Sequence, residues 1–319
     1  MNQRRKKVFD DTTSLRLRAA WMYFSHGRTQ KEIAEHLKVS RTTVIKLLEE
    51  ARRKREIKFW IEEAEEHCVG LGVDVSLRLE IEEVIVVPAG KTADETTSSV
   101  GLALGKYLSN AVQNSMTVGV GWGRTLTASL DSFRPMPRKG VKVLSLLGGT
   151  VDPVKTNPVE FSWRFANALG AECYLFPAPL LVNSAETKNN LIENCGLETL
   201  FQQASKLDMA VLSVGDVGKK CTSLSQTLIP KKEFQELIQA GCVADMMCNF
   251  IDKEGRDVAH PISDRVMSIG LHDVKSCPHI VLASGGEHRA QAILAAIKRT
   301  GCHTLVTDEG AAAALLDLV

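Results

Sequence analysis

No apolar run in the sequence reaches the ~18 residues that a bilayer-spanning helix needs. The basic start, Met1 to Lys7, runs into Val8-Phe9-Asp10-Asp11 where a secretory signal would carry an apolar stretch. The eight cysteines are scattered and form no C-x-x-C pair. That argues against structural zinc and a disulfide framework, and for reduced thiols in a cytoplasmic chain. No His/Cys/Asp grouping has metal-ligand spacing, so neither a metal nor a cofactor is expected. No Walker loop, dinucleotide fingerprint, internal repeat or long low-complexity tract is present.

What is present is an ordinary soluble composition, 44% hydrophobic and 24% charged. A length of 319 residues suits a small domain joined to a large one. The formal net charge of +1 is a cancellation. Residues 1–61 hold 16 Lys and Arg against seven Asp and Glu, while the remainder holds 23 against 31. A basic segment on an acidic body suggests that one end meets a polyanion.

Residues 1–11 read as a basic arm. Leu15 to Phe24 reads as a well-buried helix ended by Gly27. Thr29 to Leu37 and Ser40 to about Arg53 read as two more helices, and Ile57–Ile61 as a short strand. A linker running into a helix occupies 62–80, which puts the domain boundary near residue 65 and gives domains 1–64 and 65–319. Beyond it, buried-type strands are expected at Glu83–Val87, Met116–Val120, Lys142–Leu147, Ala171–Leu175, Met209–Val214, His279–Ala283 and Thr304–Thr307. Helices are expected at Ala93–Leu108, Arg124–Leu130, Val159–Ala168, Lys231–Gln239, Arg289–Arg299 and Gly310–Leu316. This α/β alternation implies a mostly parallel sheet covered on both faces. Ligands in such sheets sit at the carboxyl ends of the strands.

The segment Thr29 to Arg53 has the pattern of a helix-turn-helix. Thr29 and Glu32 form a capping box, Ser40 caps the next helix, and Lys38-Val39 makes the tight turn. Val44, Leu47, Leu48 and Ala51 face inward. Arg41, Thr42, Thr43 and Lys46 then lie outward near the N-terminal end, where a recognition helix meets base edges. Arg41 suits a bidentate pair with guanine, and Lys46 suits guanine or phosphate. Thr42 and Thr43 suit a thymine methyl or a phosphate. Gln30, Ser40 and the run Arg52-Arg53-Lys54-Arg55 suit phosphates, although such a run is also a normal solvated helix end.

The larger domain carries three glycine turns after strands: Gly119 to Thr125, Leu147 to Thr150, and Ala283 to Arg289. Such turns let backbone N–H groups approach an anion, and they are also ordinary tight turns. Together the three are expected to frame one small-ligand pocket. Arg124, Thr125 and Arg289 would donate to the ligand, Asp245 would accept from hydroxyls, and Trp122 would stack or pack. Asp245, Asp264, His260, His288 and Asp308 are candidates for acid/base work, but their spacing selects no pair. His272, His279 and His303 read as surface or core residues.

Three stretches, Thr29-Gln30-Lys31-Glu32-Ile33-Ala34, Val39 to Val44 and Leu47 to Arg52, resemble the N-terminus of the SorC family of bacterial sugar-responsive transcriptional regulators. The likeness continues through Gly119 to Leu126, Gly241-Cys242-Val243-Ala244-Asp245, Asp264-Arg265-Val266 and Leu305 to Glu309. It implies an effector domain related in fold to ribose-5-phosphate isomerase and glucosamine-6-phosphate deaminase. It implies operator DNA, a sugar, polyol or sugar-phosphate effector, and a homo-oligomer, tetramer or dimer, as partners. By position it assigns Gly121, Gly123, Arg124 and Thr125 to a first pocket loop, Gly148, Gly149 and Thr150 to a second, and Asp245 to an acidic effector contact. Arg289 stands where many relatives have Lys, and Ala244 where Gly is common. Arg289 keeps the charge but changes its geometry, which leaves a free polyol such as erythritol open beside a phosphate ester. The expected function is therefore a ligand-controlled regulator and not an enzyme. The alternatives are an isomerase- or deaminase-like enzyme with a DNA-binding attachment, and a nucleoid protein indifferent to sequence and ligand.

Overall fold

A computed structural model describes residues 11–24, 26–54, 56, 63–150, 157–217 and 228–319. The chain divides into two compact units, Met1–Glu62 and Glu63–Val319. The expected basic arm, apart from Asp11, and the expected strand Ile57–Ile61 lie outside the described residues.

The first unit packs α1 (Asp11–Phe24), α2 (Gln30–Leu37) and α3 (Arg41–Arg53) around one apolar cluster. Ala19, Ala20, Ile33, Ala34, Val44, Leu47, Leu48 and Ala51 are its buried members. Their helical spacing gives each helix one apolar face. Thr29 caps α2 as a full box: its hydroxyl accepts from the Glu32 N–H at 3.3 Å, and Glu32 accepts from the Thr29 N–H at 2.8 Å. That reciprocal bond, chiefly the Thr29 backbone N–H, holds the Glu32 carboxyl below its ordinary range. The turn bends at Lys38, whose φ of 55° is left-handed, a conformation that costs a non-glycine residue roughly 1 kcal/mol.

The sequence pattern did not single out Arg16, which is nevertheless buried in this unit. Its Nε and Nη2 each donate to Glu56 at 2.6 Å, and Nη1 lies 3.5 Å from Glu50. The pair ties α1 to the segment leaving α3.

The second unit runs α4 (Glu63–Leu79), β1 (Glu83–Val87), α5 (Ala93–Ala111), β2 (Thr117–Val120), α6 (Arg124–Ser129), β3 (Lys142–Ser145), α7 (Pro158–Leu169) and β4 (Glu172–Tyr174). It continues with α8 (Ala185–Asn194), α9 (Glu198–Ala204), β5 (Met209–Leu212), β6 (Gly215–Asp216), α10 (Lys231–Gln239), β7 (Cys242–Met246) and β8 (Asn249–Asp252). It closes with α11 (Leu271–Lys275), β9 (Ile280–Ala283), α12 (Ala290–Thr300), β10 (Thr304–Asp308) and α13 (Glu309–Asp317). Where the sequence suggested a linker from residue 62, α4 is already helical at Glu63.

Seven strands form one parallel sheet in the order β1-β10-β9-β5-β2-β3-β4. Side chains along each strand alternate between two apolar clusters, as the pleat requires. Ala210, Leu212, Ile280, Leu282 and Leu305 enter one cluster with α12 and α13. Met209, Val211, Val281, Ala283 and Val306 enter the other with α5 and α7. Burial on both faces explains why these strands read as continuous apolar runs.

A second sheet, β6-β7-β8, is antiparallel and was not anticipated. Its hairpin turns at Met247 and Cys248, with φ of 55° and 59°. Two-residue hairpins with both central residues left-handed normally advertise themselves by Asn-Gly or Asp-Gly, and Met-Cys carries no such signal.

Candidate functional site

The order of the parallel sheet fixes where a ligand can sit. From β2 the chain moves outward to β3 and β4, then returns to the other side of β2 as β5. Neighbouring loops therefore leave β2 and β5 in opposite directions and open a crevice at their carboxyl ends. A cleft lies there, lined by Thr97, Trp122, Gly123, Arg124, Thr125, Ser213, Val214, Gly215, Asp245, Met247 and Arg289. It is a small, open cleft, with about 480 Å³ of empty space when its solvent-filled mouth is counted.

The first glycine turn is carried by α6, and α5 lets α6 come close. A Cβ on Gly101 would meet Ala128 Cβ at 2.5 Å, and one on Gly105 would meet the Ser129 carbonyl oxygen at 2.1 Å. Glycines at these two positions let the α6 backbone lie against α5 and set Arg124 and Thr125 at the cleft. Arg124 Nη1 lies 3.2 Å from Asp94 Oδ1 in the first turn of α5.

The third glycine turn is held by Asp308, which is buried. Asp308 Oδ1 accepts from the Gly286 N–H, and Oδ2 accepts from Gly310 and Ala311 at 3.0 and 3.3 Å. A Cβ on Gly285 would stand 2.6 Å from the same Oδ1, so only glycine lets the turn close on this carboxylate. Ser284 donates to the Val214 carbonyl at 2.9 Å and ties this turn to the one after β5. Arg289 is thereby brought into the cleft, buried, with Nε 3.3 Å from Asp216 Oδ1 and Nη1 donating to the Gly285 carbonyl at 2.9 Å.

Asp245 comes from the small sheet, where it pairs with Gly215. It is buried, and its Oδ1 accepts from the Cys248 N–H at 2.8 Å across the left-handed hairpin tip. Burial, and then the Asp245 charge, push the Cys248 thiol well above its ordinary value. A thiol so held is protonated at neutral pH and does not serve as a nucleophile.

Of the expected pocket residues, Gly123, Arg124, Thr125, Asp245 and Arg289 line this one cleft. Gly121 sits just behind it, its N–H bonded to the Val211 carbonyl at 2.9 Å. Gly148, Gly149 and Thr150 are not among its lining residues. The N–H groups of Gly148 and Gly149 are taken by the Met267 and Ala178 carbonyls, and Asn157 Nδ2 donates to the Thr150 carbonyl at 3.1 Å. The expectation of three turns around one pocket thus gives way to two of them joined by the β5–β6 turn. Thr97, Ser213, Val214, Gly215 and Met247 were missed because no local motif marks them. Met247 and Cys248 would have been found only by asking why a buried hairpin lacks glycine.

In the first unit, Arg41, Thr42 and Lys46 are exposed on α3 and Thr43 is half-buried. Ser40 caps α3 by accepting from the Thr43 N–H at 3.0 Å, and Arg41 Nε donates to Gln30 Oε1 at 3.3 Å. Gln30 therefore orients Arg41 from the neighbouring helix. The basic run is less uniform than its sequence suggests. Lys54 Nζ lies 2.7 Å from Glu50 Oε1, Arg53 lies 4.0 Å from it, and the Arg52 guanidinium stacks over the Phe24 ring at 5.5 Å. The Lys54 hydrogen bond in turn holds the Glu50 carboxyl below its usual range.

No described helix is long and apolar enough to cross a membrane. Among the described residues, no group of His, Cys, Asp and Glu is placed to hold a metal ion.

Residues 64–317 match a family of proteins described as "Putative sugar-binding domain". The chain is 27% identical to YjhU, an uncharacterised transcriptional regulator of Escherichia coli K12, over 99% of this chain and 97% of that protein. It is 25% identical to EryD, the erythritol catabolism regulatory protein of Brucella abortus, over 96% of this chain and 98% of that one. The full-length sorbitol operon regulator SorC from Klebsiella pneumoniae shares the fold, with a TM-score of 0.74 at 20% identity, covering 97% of this chain and 99% of that one. With residues 64–317 of its 319 matched, the chain belongs to this sugar-binding domain family.

Proposed function

We propose that this protein is a transcriptional regulator of a carbohydrate or polyol catabolic operon, controlled by a sugar, polyol or sugar phosphate. The observation that carries the reading is the pairing, in one chain, of a doubly capped helix-turn-helix with a sugar-binding domain whose polar cleft sits at a strand switch point. Arg41, Thr42, Thr43 and Lys46 read base edges in the major groove. Gln30, Ser40, Arg52 and Arg53 fix register on the phosphates. The effector enters the cleft between Arg124, Thr125, Asp245 and Arg289, with Gly123 on its wall and Gly121 behind it. It acts by binding one of two arrangements of the protein more tightly, which shifts their populations and hence operator occupancy. The regulator works in the cytoplasm as a homo-oligomer, a dimer or tetramer, so that paired readers meet paired half-sites. The names of the relatives, which speak of erythritol catabolism and of a sorbitol operon, support a catabolic target.

The test is to select preferred duplexes from a random pool, then titrate sugars, polyols and their phosphates into the complex while following fluorescence anisotropy. A preferred sequence, and an effector that changes affinity for it, are expected. Binding indifferent to both sequence and every ligand would place the chain among nucleoid proteins instead.

A further inference from the structure

We infer that the outward face of α4 is the surface on which a second copy of this chain docks, its α4 running antiparallel to the first. The inference deepens the homo-oligomer reading above, on which it rests, by naming the surface that joins the copies.

α4 is apolar on two opposite sides. Cys68 and Val75 are buried, and Leu71 and Leu79 pack with Val75 into the core of the second unit. On the other side Val69, Val73 and Leu77 recur at every fourth residue and are 55%, 53% and 75% exposed. A surface helix turns polar residues to that side, and a helix apolar all round is a covered one. Among the described residues of the second unit, seven large apolar side chains are exposed. Besides these three, Leu318 and Val319 follow α13, and Arg78 of α4 donates to the Val319 carbonyl at 2.6 Å. Five of the seven thus gather in one region, whereas exposed apolar residues scattered singly would need no explanation.

Gly70 lies on the same outward face, and a Cβ there would meet nothing within 4 Å. Glycine inside a helix is less stable than alanine, so the position calls for a reason. Gly72 has one within the chain, since its Cβ would stand 2.8 Å from the Val84 carbonyl oxygen of β1. For Gly70 the reason is a close approach from outside. A second α4 fits that role. With 3.6 residues per turn and 1.5 Å per residue, a two-fold axis centred between Gly70 and Val73 sets Val73 of each copy over the partner's Gly70. It sets Leu77 beside the stem of the partner's Glu66. It also brings Arg78 level with the partner's Glu66, and Asp74 within one helical turn of the partner's His67. All four of these polar residues are exposed. A parallel pair would instead stack like charges at equal heights. Within its own chain Arg78 meets Val319, and His67 lies 3.9 Å from Glu309. The charged pairs therefore orient the copies, while the apolar stripe and Gly70 hold them together. α4 follows directly on the first unit in the chain, so the pair joins the stems of two DNA-reading units, as paired half-sites require.

The experiment is sedimentation velocity of the 319-residue chain over a concentration series, with far-UV circular dichroism to follow the fold. The parent is expected to sediment as a dimer or a larger assembly. Val73→Glu should raise the dissociation constant of one interface by about a hundredfold and leave the circular dichroism unchanged, because the side chain is exposed in the single chain. Gly70→Leu should act in the same way. Arg78→Glu should weaken association about fivefold, and adding Glu66→Arg should restore it, a rescue that damage to the fold does not produce. If Val73→Glu and Gly70→Leu keep the parent's mass at every concentration, the copies meet elsewhere and the inference falls while the homo-oligomer reading stands. A parent that stays monomeric throughout would overturn both, and would leave the stripe to another part of the chain or to a different protein. A charge swap without rescue would overturn the antiparallel arrangement.

Discussion

Asp308→Ala is the substitution whose consequences the structure defines best. The carboxylate closes β10, caps α13 and holds the turn that carries Arg289. Losing an Asp cap costs about 0.5–2 kcal/mol. Stranding the part-buried Gly286 N–H adds about 1 kcal/mol, the low end for an unmet donor. The sum is about 1.5–3 kcal/mol. In a unit of this size each kcal/mol moves the midpoint by ~2–4 °C, so thermal unfolding should fall by roughly 3–12 °C. Calorimetry on the 319-residue chain measures this directly. Effector affinity should fall as well, because the Gly285–Gly286 turn loses its anchor and Arg289 its placement. Sequence-specific DNA binding without effector should persist, since α3 is in the other unit. Asp308→Asn should recover part of the cap and about half of the loss. A midpoint for Asp308→Ala within about 1 °C of the parent would refute the reasoning, since it would mean the three N–H groups find other acceptors at no cost.

Four further outcomes are expected. Arg41→Ala should weaken binding to the preferred duplex by about 1–3 kcal/mol and relax the preference at one base pair, whereas Lys54→Ala should change the slope of affinity against salt by less than a full phosphate contact, because Glu50 already answers that charge. The two are compared by anisotropy over a salt series. Glu56 is held below the usual carboxylate range by its hydrogen bonds to Arg16, so its contribution is complete above the ordinary Glu value and is lost as pH falls through the lowered one. Glu56→Gln should flatten the acid limb of stability for the first unit. His279 is held below its ordinary value, first by burial and then by the adjacent His303. Its neutral ring bonds to the Tyr107 hydroxyl at 2.8 Å. Its contribution is therefore present above about pH 6.5, the unfolded value, and is lost as pH falls from there through the lowered folded one. His279→Gln should flatten that slope in urea titrations across this window.

The legible parts of the molecule were those whose physics is local. A cap is a hydrogen bond between residues three apart, so Thr29, Glu32 and Ser40 announced α2 and α3. Buried parallel strands are short apolar runs, so all seven strands of the large sheet were placed within a few residues. The glycine turns were visible because the backbone needs them there. The small sheet was invisible because its hairpin turns on Met247 and Cys248 and its first strand has two residues. Arg16 read as one more surface cation because its partner Glu56 is forty residues away.

The sequence by itself determined the caps of α2 and α3, the exposure of Arg41, Thr42 and Lys46 on α3, and the kinds of residue available for a polar cleft. It could not say which strand ends are neighbours, because strand order is a long-range property that local pattern leaves open. Only the tertiary structure put β9, β5 and β2 side by side, and so joined the first and third glycine turns while turning the second into backbone pairing. Only the tertiary structure paired Arg289 with Asp216 and Arg124 with Asp94. The charge of a binding site depends on what lies within a few ångströms in space, and sequence spacing does not record it.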